Sequence, residues 1–486
     1  MAEAAQAKKN GLFKSEDWWA VWLGLFIFLL GLLRMAGVDL VGWVVKTSVW
    51  LEISKALAPA AKTFKFSGFA SLFLTYVFLT VILSIGVAVM GGRVGRFIGG
   101  FTIIFWLTYI CWIAGHYAYI AATPDQYAKL KIAWSLRLTG ESGFIIALIV
   151  GLLIGNLWPG LARYLEEAAK PEWYIKTAIV ILGAKVGLYA LQSTGLAAQV
   201  IFRGFCAIIE AYLIYWPIVY FVARKFFKFT PEWAAPLASG ISICGVSAAI
   251  ATGGAIKARP IVPIIVSSLV IVFAVVELLI LPFAAQAWLY KEPMVAGAWM
   301  GLAVKTDGAA AASGAITDAL IRAKAATALG VNWQEGWILM ATTTVKVFID
   351  IFIAIWAFLL AIIWCWKIEC KPGEKVSAAD IWHRFPKFVL GYAITFILVL
   401  LIGAGATPEA TKLLKEGIGN ADNFRGIFFA LTFFSIGLVS NFRKLKEEGM
   451  GRLALVYFVC LFGFIIWVGL FISWIFFHGI TPPPAK

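Results

Sequence analysis

The stretch Leu237–Arg259 reads LASGISICGVSAAIATGGAIKAR, with hydroxyls, a thiol and four glycines where a spanning helix would carry bulky apolar side chains. Gly240, Gly245, Gly253 and Gly254 weaken a helix here, and Ser239, Ser242, Cys244, Ser247 and Thr252 give it a small polar face. Non-helical backbone at membrane depth survives only where it is buried in protein or lines a wet cavity. Secondary transporters place their substrates at such interrupted helices. A freed helix N-terminus offers N–H groups and a partial positive charge, which suits the capture of an anion. Serine hydroxyls add donors without a charge that an empty site would have to desolvate. The competing reading is close helix packing through small residues.

A second phrase, Ser435-Ile436-Gly437-Leu438-Val439-Ser440, followed by Asn441, resembles Ser242-Ile243-Cys244-Gly245-Val246-Ser247. Paired glycine-interrupted segments in two halves of a chain point to a binding site between them. The expected site therefore takes Ser242, Cys244, Gly245 and Ser247 from one broken helix, and Ser435, Gly437, Ser440 and Asn441 from the other. Ionisable residues inside apolar runs carry the remaining chemistry, because intramembrane charge is costly. They are Lys185, Arg203, Glu210, Glu277, Lys305, Asp307, Lys346 and Asp350. Lys185 and Lys305 are expected to balance an anion, with Asp307 or Glu210 neutralising them when the site is empty. Lys346 and Asp350, four apart, can pair within their own helix. The structural alternative is that all of these are ion pairs or snorkelling side chains.

Composition sets the elements that must position these groups. Among 486 residues 62% are hydrophobic and 14% charged, and mean hydropathy is +0.89. These values predict an all-α polytopic membrane protein. The net charge of +15 sits in short loops, where it sets topology and does not predict nucleic acid as a partner. Six scattered cysteines without a CxxC, and three distant histidines, predict neither a metal site nor a disulfide framework, and no cofactor is expected.

Three spans are predicted near 18–33, 69–90 and 97–121, with an interfacial amphipathic helix within 35–66. From about residue 140 the texture turns glycine-rich. Ten further spans are predicted near 142–158, 173–191, 199–223, 233–256, 261–286, 295–315, 338–366, 386–404, 426–442 and 453–478. The total is about thirteen, at roughly 20 residues per span. The chain divides into an accessory region, 1–135, and a transporter core, 136–486. Basic loops at 224–231, 367–385 and 443–452 predict a cytoplasmic N-terminus in the cell's plasma membrane. Ten core spans divide into two inverted sets of five, about 140–290 and 294–480. A different register is also open, since Gly183–Gly195 resembles Ile436–Gly449.

ASGISICGVSAAIATGGAIKA resembles the signature of the YeiH-type sulfate exporter family. IALIVGLLIGN (146–156), ILGAKVGL (181–188), FPKFVLGY (385–392) and SIGLVSNFRKL (435–445) are similar to that family as well. The resemblance covers roughly 140–480 and leaves the first spans as an extension. It implies an inverted-repeat fold like that of sodium/proton antiporters and bile-acid symporters, with two discontinuous helices that cross. It also implies export of sulfate or a related small anion. One departure follows Trp299-Met300-Gly301: Lys305 and Asp307 stand where the family has a His-containing phrase, which bears on substrate and proton coupling.

The expected partners are thus a small anion, the bilayer and a coupling ion, proton or sodium, with homo-oligomerisation open. An enzyme is not expected, because no nucleophile–base pair, metal cluster or carboxylate pair is legible. A channel would need a selectivity ring. The close competitors are a cation-coupled organic anion symporter and a cation/proton antiporter on the same fold.

Overall fold

A computed structural model describes residues 11–485 apart from 123, 137, 139, 141, 193, 257, 260, 368–386 and 441–450. The chain is nearly all helix. Among the described residues nine helices have the length and apolarity to cross a membrane, ten if the bent pair Ser142–Leu157 and Pro159–Leu165 counts as one. This is an all-α polytopic membrane protein. Three further segments expected as spans are also helical. One carries three charged side chains along its length, and the other two are each broken in the middle.

The packing separates two units. The first holds residues 1–197, 326–331 and 387–439. Its helices are α1 (Glu16–Leu32), α2 (Gly68–Val89), α3 (Val94–Gly115), α4 (Ser142–Leu157), α5 (Pro159–Leu165) and α6 (Pro171–Gln192). After them come α14 (Lys387–Ala404) and α15 (Pro408–Val439). Ser15 and Ser67 accept the first free amides of α1 and α2, from Trp18 and Ala70, as side-chain caps do.

Glycines bring these backbones together. A Cβ on Gly151 would stand 2.1 Å from Phe434 O, one on Gly155 2.3 Å from Leu438 O, and one on Gly437 2.2 Å from Leu148 O. α4 and α15 therefore pack main chain on main chain, as small-residue interfaces in membranes do. α1 is clamped to α15 the same way, with Gly31 facing Gly417. The first helix is thus built into the same unit as α6, α14 and α15.

Residues 35–66 were expected to hold an amphipathic helix. They form instead an antiparallel hairpin, Val45–Thr47 on Leu57–Pro59. Val44, Val45 and Thr47 favour extended backbone, and Pro59 resists a helix. Helix α2 satisfies the strand's free groups: Val45 N donates to Thr75 Oγ1 at 3.1 Å, and Ser71 Oγ donates to Trp43 O.

The second unit holds residues 198–325, 332–386 and 440–486. It contains α7 (Gly195–Lys225), the half-helices α8 (Pro231–Ser242) and α9 (Val246–Ala255), and α10 (Ile261–Trp288). The half-helices α11 (Pro293–Ala303) and α12 (Asp307–Ala328), then α13 (Trp337–Trp364) and α16 (Gly451–Phe477), complete it. α7 and α16 each contain a π-helical segment, Ile209–Tyr215 and Leu461–Ile465. Such segments free backbone groups and are common at functional sites. Tyr215, the last residue of one, donates to the carbonyl of Ile465, the last of the other, at 2.7 Å.

The order of the second half differs from the expected one. Its broken helix is not the fourth element, at 435–440, but the first, at 293–328. α15 continues as helix through Val439. α6 and α15 are each packed by glycine against a neighbouring helix. Gly183 meets Tyr392 O of α14, just as Gly437 meets Leu148 O of α4.

Candidate functional site at two broken helices

The first break opens at Ile243, with φ −106° and ψ −102°, and closes at Gly245, with φ +68°. Side chains other than glycine rarely adopt that positive φ. A Cβ on Gly245 would also stand 2.6 Å from Val270 Cγ1 and 3.2 Å from Lys305 O. The second break spans Val304 to Thr306, where Val304 is extended. Thr306 then caps α12, its hydroxyl accepting from Ala309 N at 3.2 Å. The two breaks touch, because the nearest neighbours of Gly245 include Thr306 and Lys305.

Each break frees carbonyls on one side and N–H groups on the other. One side chain ties the carbonyls together. Lys346 of α13 reaches in and donates from Nζ to Ile243 O at 2.9 Å and to Lys305 O at 3.2 Å. The same nitrogen lies 3.8 Å from Asp307 Oδ1. Cys244 Sγ and carboxylate oxygens of Asp307 and Asp350 all lie within 4.8 Å of one another, and all three residues are buried. An ammonium, two carboxylates and a thiol thus meet where the two breaks do. A metal ion bound by the latter three would have Lys346 as a neighbouring cation.

Lys305 is fully buried and points elsewhere. Its amide donates to Glu277 Oε2 of α10 at 3.1 Å. Its ammonium donates to Leu302 O and stands 4.5 Å from the centre of the Tyr215 ring. Behind α8, Thr252 donates to Ser239 Oγ at 2.6 Å and Trp216 Nε1 donates to it at 2.8 Å, so Ser239 works as a structural link. Ser242 Oγ is buried and has no hydrogen-bond partner among the described residues.

A family model described as "Conserved hypothetical protein 698" matches residues 128–456, which include both breaks and Lys346. The chain belongs to this family. A UPF0324 membrane protein of Nitrosomonas europaea is 44% identical over 479 residues and aligns over 98% of both chains. One of Nitratidesulfovibrio vulgaris is 29% identical over 436 residues, 88% of this chain and 68% of the relative. A protein of Archaeoglobus fulgidus is 51% identical over 165 residues, 30% of this chain and 88% of its own. No solved structure matches. The family match starts after α1–α3, and the Nitrosomonas relative extends across them.

Within this member of the family the expected site residues fall into two groups. Ser242, Cys244, Gly245, Lys305 and Asp307 come together at the two breaks of the second unit, and Ser247 sits on the first turn of α9. Ser435 and Gly437 lie in the unbroken α15 of the first unit, and there the small-residue packing reading applies. Ser440 directly follows α15 and is buried. Asn441 lies outside the described residues.

Lys185 belongs to the first unit and forms an ion pair with Asp422 at 2.8 Å. Asp422 also receives Arg425 Nη2 at 2.9 Å. This corrects the expectation that Glu210 or Asp307 would neutralise Lys185. Arg203 donates to Phe476 O, and Glu210 lies in the π segment of α7.

Two features escaped sequence reasoning. Lys346 was read as able to pair with Asp350 in its own helix, and the bridge its ammonium makes between the two breaks was not foreseen. The run Thr342-Thr343-Thr344 before it, polar in an apolar helix, was a usable signal. Thr306-Asp307-Gly308 is a helix-start signature, with a capping residue followed by an acidic first position, and it marked the second break.

Proposed function

We propose that this chain is a secondary transporter and not an enzyme, moving a small oxyanion of the sulfate type across the plasma membrane, with export as its direction. Its substrate would be held where α8–α9 and α11–α12 break. Lys346, with its ammonium on a freed carbonyl of each break, is the observation that carries this reading. Two helix N-termini, α9 and α12, begin at the same place and supply about half a charge each. An arriving anion would take Lys346 and the first N–H groups of both half-helices as donors. Asp307 would hold the ammonium while the site is empty, limiting the cost of a buried charge. Ser242 would add a neutral donor, and Gly245 would let the backbone approach.

A second reading, cation/proton antiport or cation-coupled symport, draws support from one specific feature. Around the breaks stand four carboxyl groups, Glu210, Glu277, Asp307 and Asp350, against two ammonium groups, Lys305 and Lys346. Purified protein in liposomes decides between them. Uptake of labelled sulfate, sulfite or a small sulfonate, lost in Lys346→Met, is the expected result. Sodium flux with no anion flux would sink the anion reading in favour of the second.

A further inference from the structure

Glu210 and Glu277 are two buried acids that anion capture at the breaks leaves unused. Both are completely buried, Glu210 in the π segment of α7 and Glu277 in α10. Neither oxygen of Glu210 has a hydrogen-bond partner among the described residues, and Glu277 Oε1 has none either. Tyr215 is close at hand: the space beside Gly469 of α16 lies 2.8 Å from Tyr215 Oη and 3.3 Å from Glu210 Oε1. Yet the one hydroxyl proton of Tyr215 goes to Ile465 O. Only a protonated Glu210 could donate to that phenol oxygen. Lys305 lies within electrostatic reach of both acids. Even so, its ammonium is spent on Leu302 O and the Tyr215 ring.

A buried carboxylate short of donors is strongly disfavoured, whereas a neutral carboxylic acid is not; Glu277 has one donor, the Lys305 amide, and Glu210 has none among the described residues. We infer that the coupling ion is a proton, carried on the Glu210–Glu277 pair and exchanged against Lys305 at the second break. This deepens the transport reading and rests on it. When the carboxyls are protonated, the Lys305 ammonium is free to face an anion at the break that bears it. When the anion leaves, the acid O–H bond breaks, the proton passes to water, and the carboxylate takes the ammonium as its partner. Anion and proton therefore bind together and cross together, so that export by this route runs where the outward anion gradient exceeds the opposing proton gradient.

The other groups around the pair fit this role. Cys206 lies one helical turn before Glu210, the Tyr457 hydroxyl of α16 is near Glu277, and Lys346 of α13 is the next cation. Tyr457 Oη has no partner among the described residues. A sodium ion at the pair would face the Lys305 ammonium, whereas a proton needs no coordination shell.

Two measurements test this on the full-length chain. The first needs no substrate. Infrared spectra of the detergent-purified protein should contain a carbonyl band of protonated buried carboxyl, removed in Glu210→Gln/Glu277→Gln and reduced in each single variant. A band that is absent, or unchanged in all three, overturns the proposal whatever the protein transports. The second uses liposomes and labelled sulfate. An imposed pH gradient should drive uptake in the natural protein, and the double variant should lose it at least tenfold while sulfate–sulfate exchange persists. Gradient-driven uptake that survives in the double variant overturns the proton role. Absence of exchange in the natural protein counts against the anion reading alone, because the infrared result stands by itself.

Discussion

Lys346 contributes three contacts from one nitrogen, and their removal defines a first prediction. Lys346→Met would keep the volume of the side chain. It would remove the ammonium that lies 3.8 Å from Asp307 Oδ1 and the donor shared by two break carbonyls. Breaking a buried charge pair from one side costs about 3–5 kcal/mol. The expected outcome is a markedly lower melting temperature for the detergent-solubilised variant, with partial recovery in Lys346→Met/Asp307→Asn. Equal stability of the single variant and the natural chain would show that the ammonium does not hold the breaks. Sequence alone showed that Lys346 is intramembrane and costly. It could not show the partner, because Ile243 O and Lys305 O become free acceptors only after two helices have opened.

At the scale of elements, two glycines with the same sequence motif have different roles. Gly245 closes a break with a left-handed backbone, and Gly437 lets α15 lie against α4. Gly437→Leu should therefore act on stability, since overpacking costs about 1–3 kcal/mol or more where the obstacle is main chain. Ser435→Ala should leave anion affinity in the natural range, whereas Gly245→Val should abolish uptake. Calorimetry and flux on the three variants check this, and a loss of affinity in Ser435→Ala would restore the second phrase to the site.

The first break was legible because Ser-Ile-Cys-Gly cannot sustain a helix and has no bulky side chain to pack. The second was placed wrongly because six similar residues outweighed Thr306-Asp307-Gly308, a stronger local signal. Helix existence was legible nearly throughout, as hydropathy runs are long and unmistakable. The hairpin at Val45–Thr47 was not, because its hydrogen bonds are completed by side chains of α2 far along the chain.

For the whole molecule, the distribution of basic loops supplies the third prediction. Arg224 and Lys225 end α7 and Lys228 follows it, and two further basic stretches follow α13 and α15. The positive-inside rule then predicts a cytoplasmic location for these loops and the N-terminus. Engineered cysteines in the three loops should resist an impermeant thiol reagent in intact cells and react after lysis. Reaction of all three from outside would invert the topology. Composition was enough to establish a polytopic helical protein. It could not reveal that α1 belongs with α6, α14 and α15, since the Gly31–Gly417 contact joins positions that no periodicity connects.

The bond from Tyr215 to Ile465 and the bond from Trp299 Nε1 to Ile466 O at 2.8 Å have a consequence for how the chain comes into being. Both acceptors lie on α16, which leaves the ribosome after every other helix described here. Every other element of the second unit, including both breaks and Lys346, is synthesised before it. Until α16 arrives, a buried phenol and a buried indole wait without these acceptors, beside a carboxyl group that already has no donor. The nascent unit must therefore keep that side open, to lipid, to water or to the insertion machinery, through the synthesis of α14 and α15. α16 is the closing piece of that side.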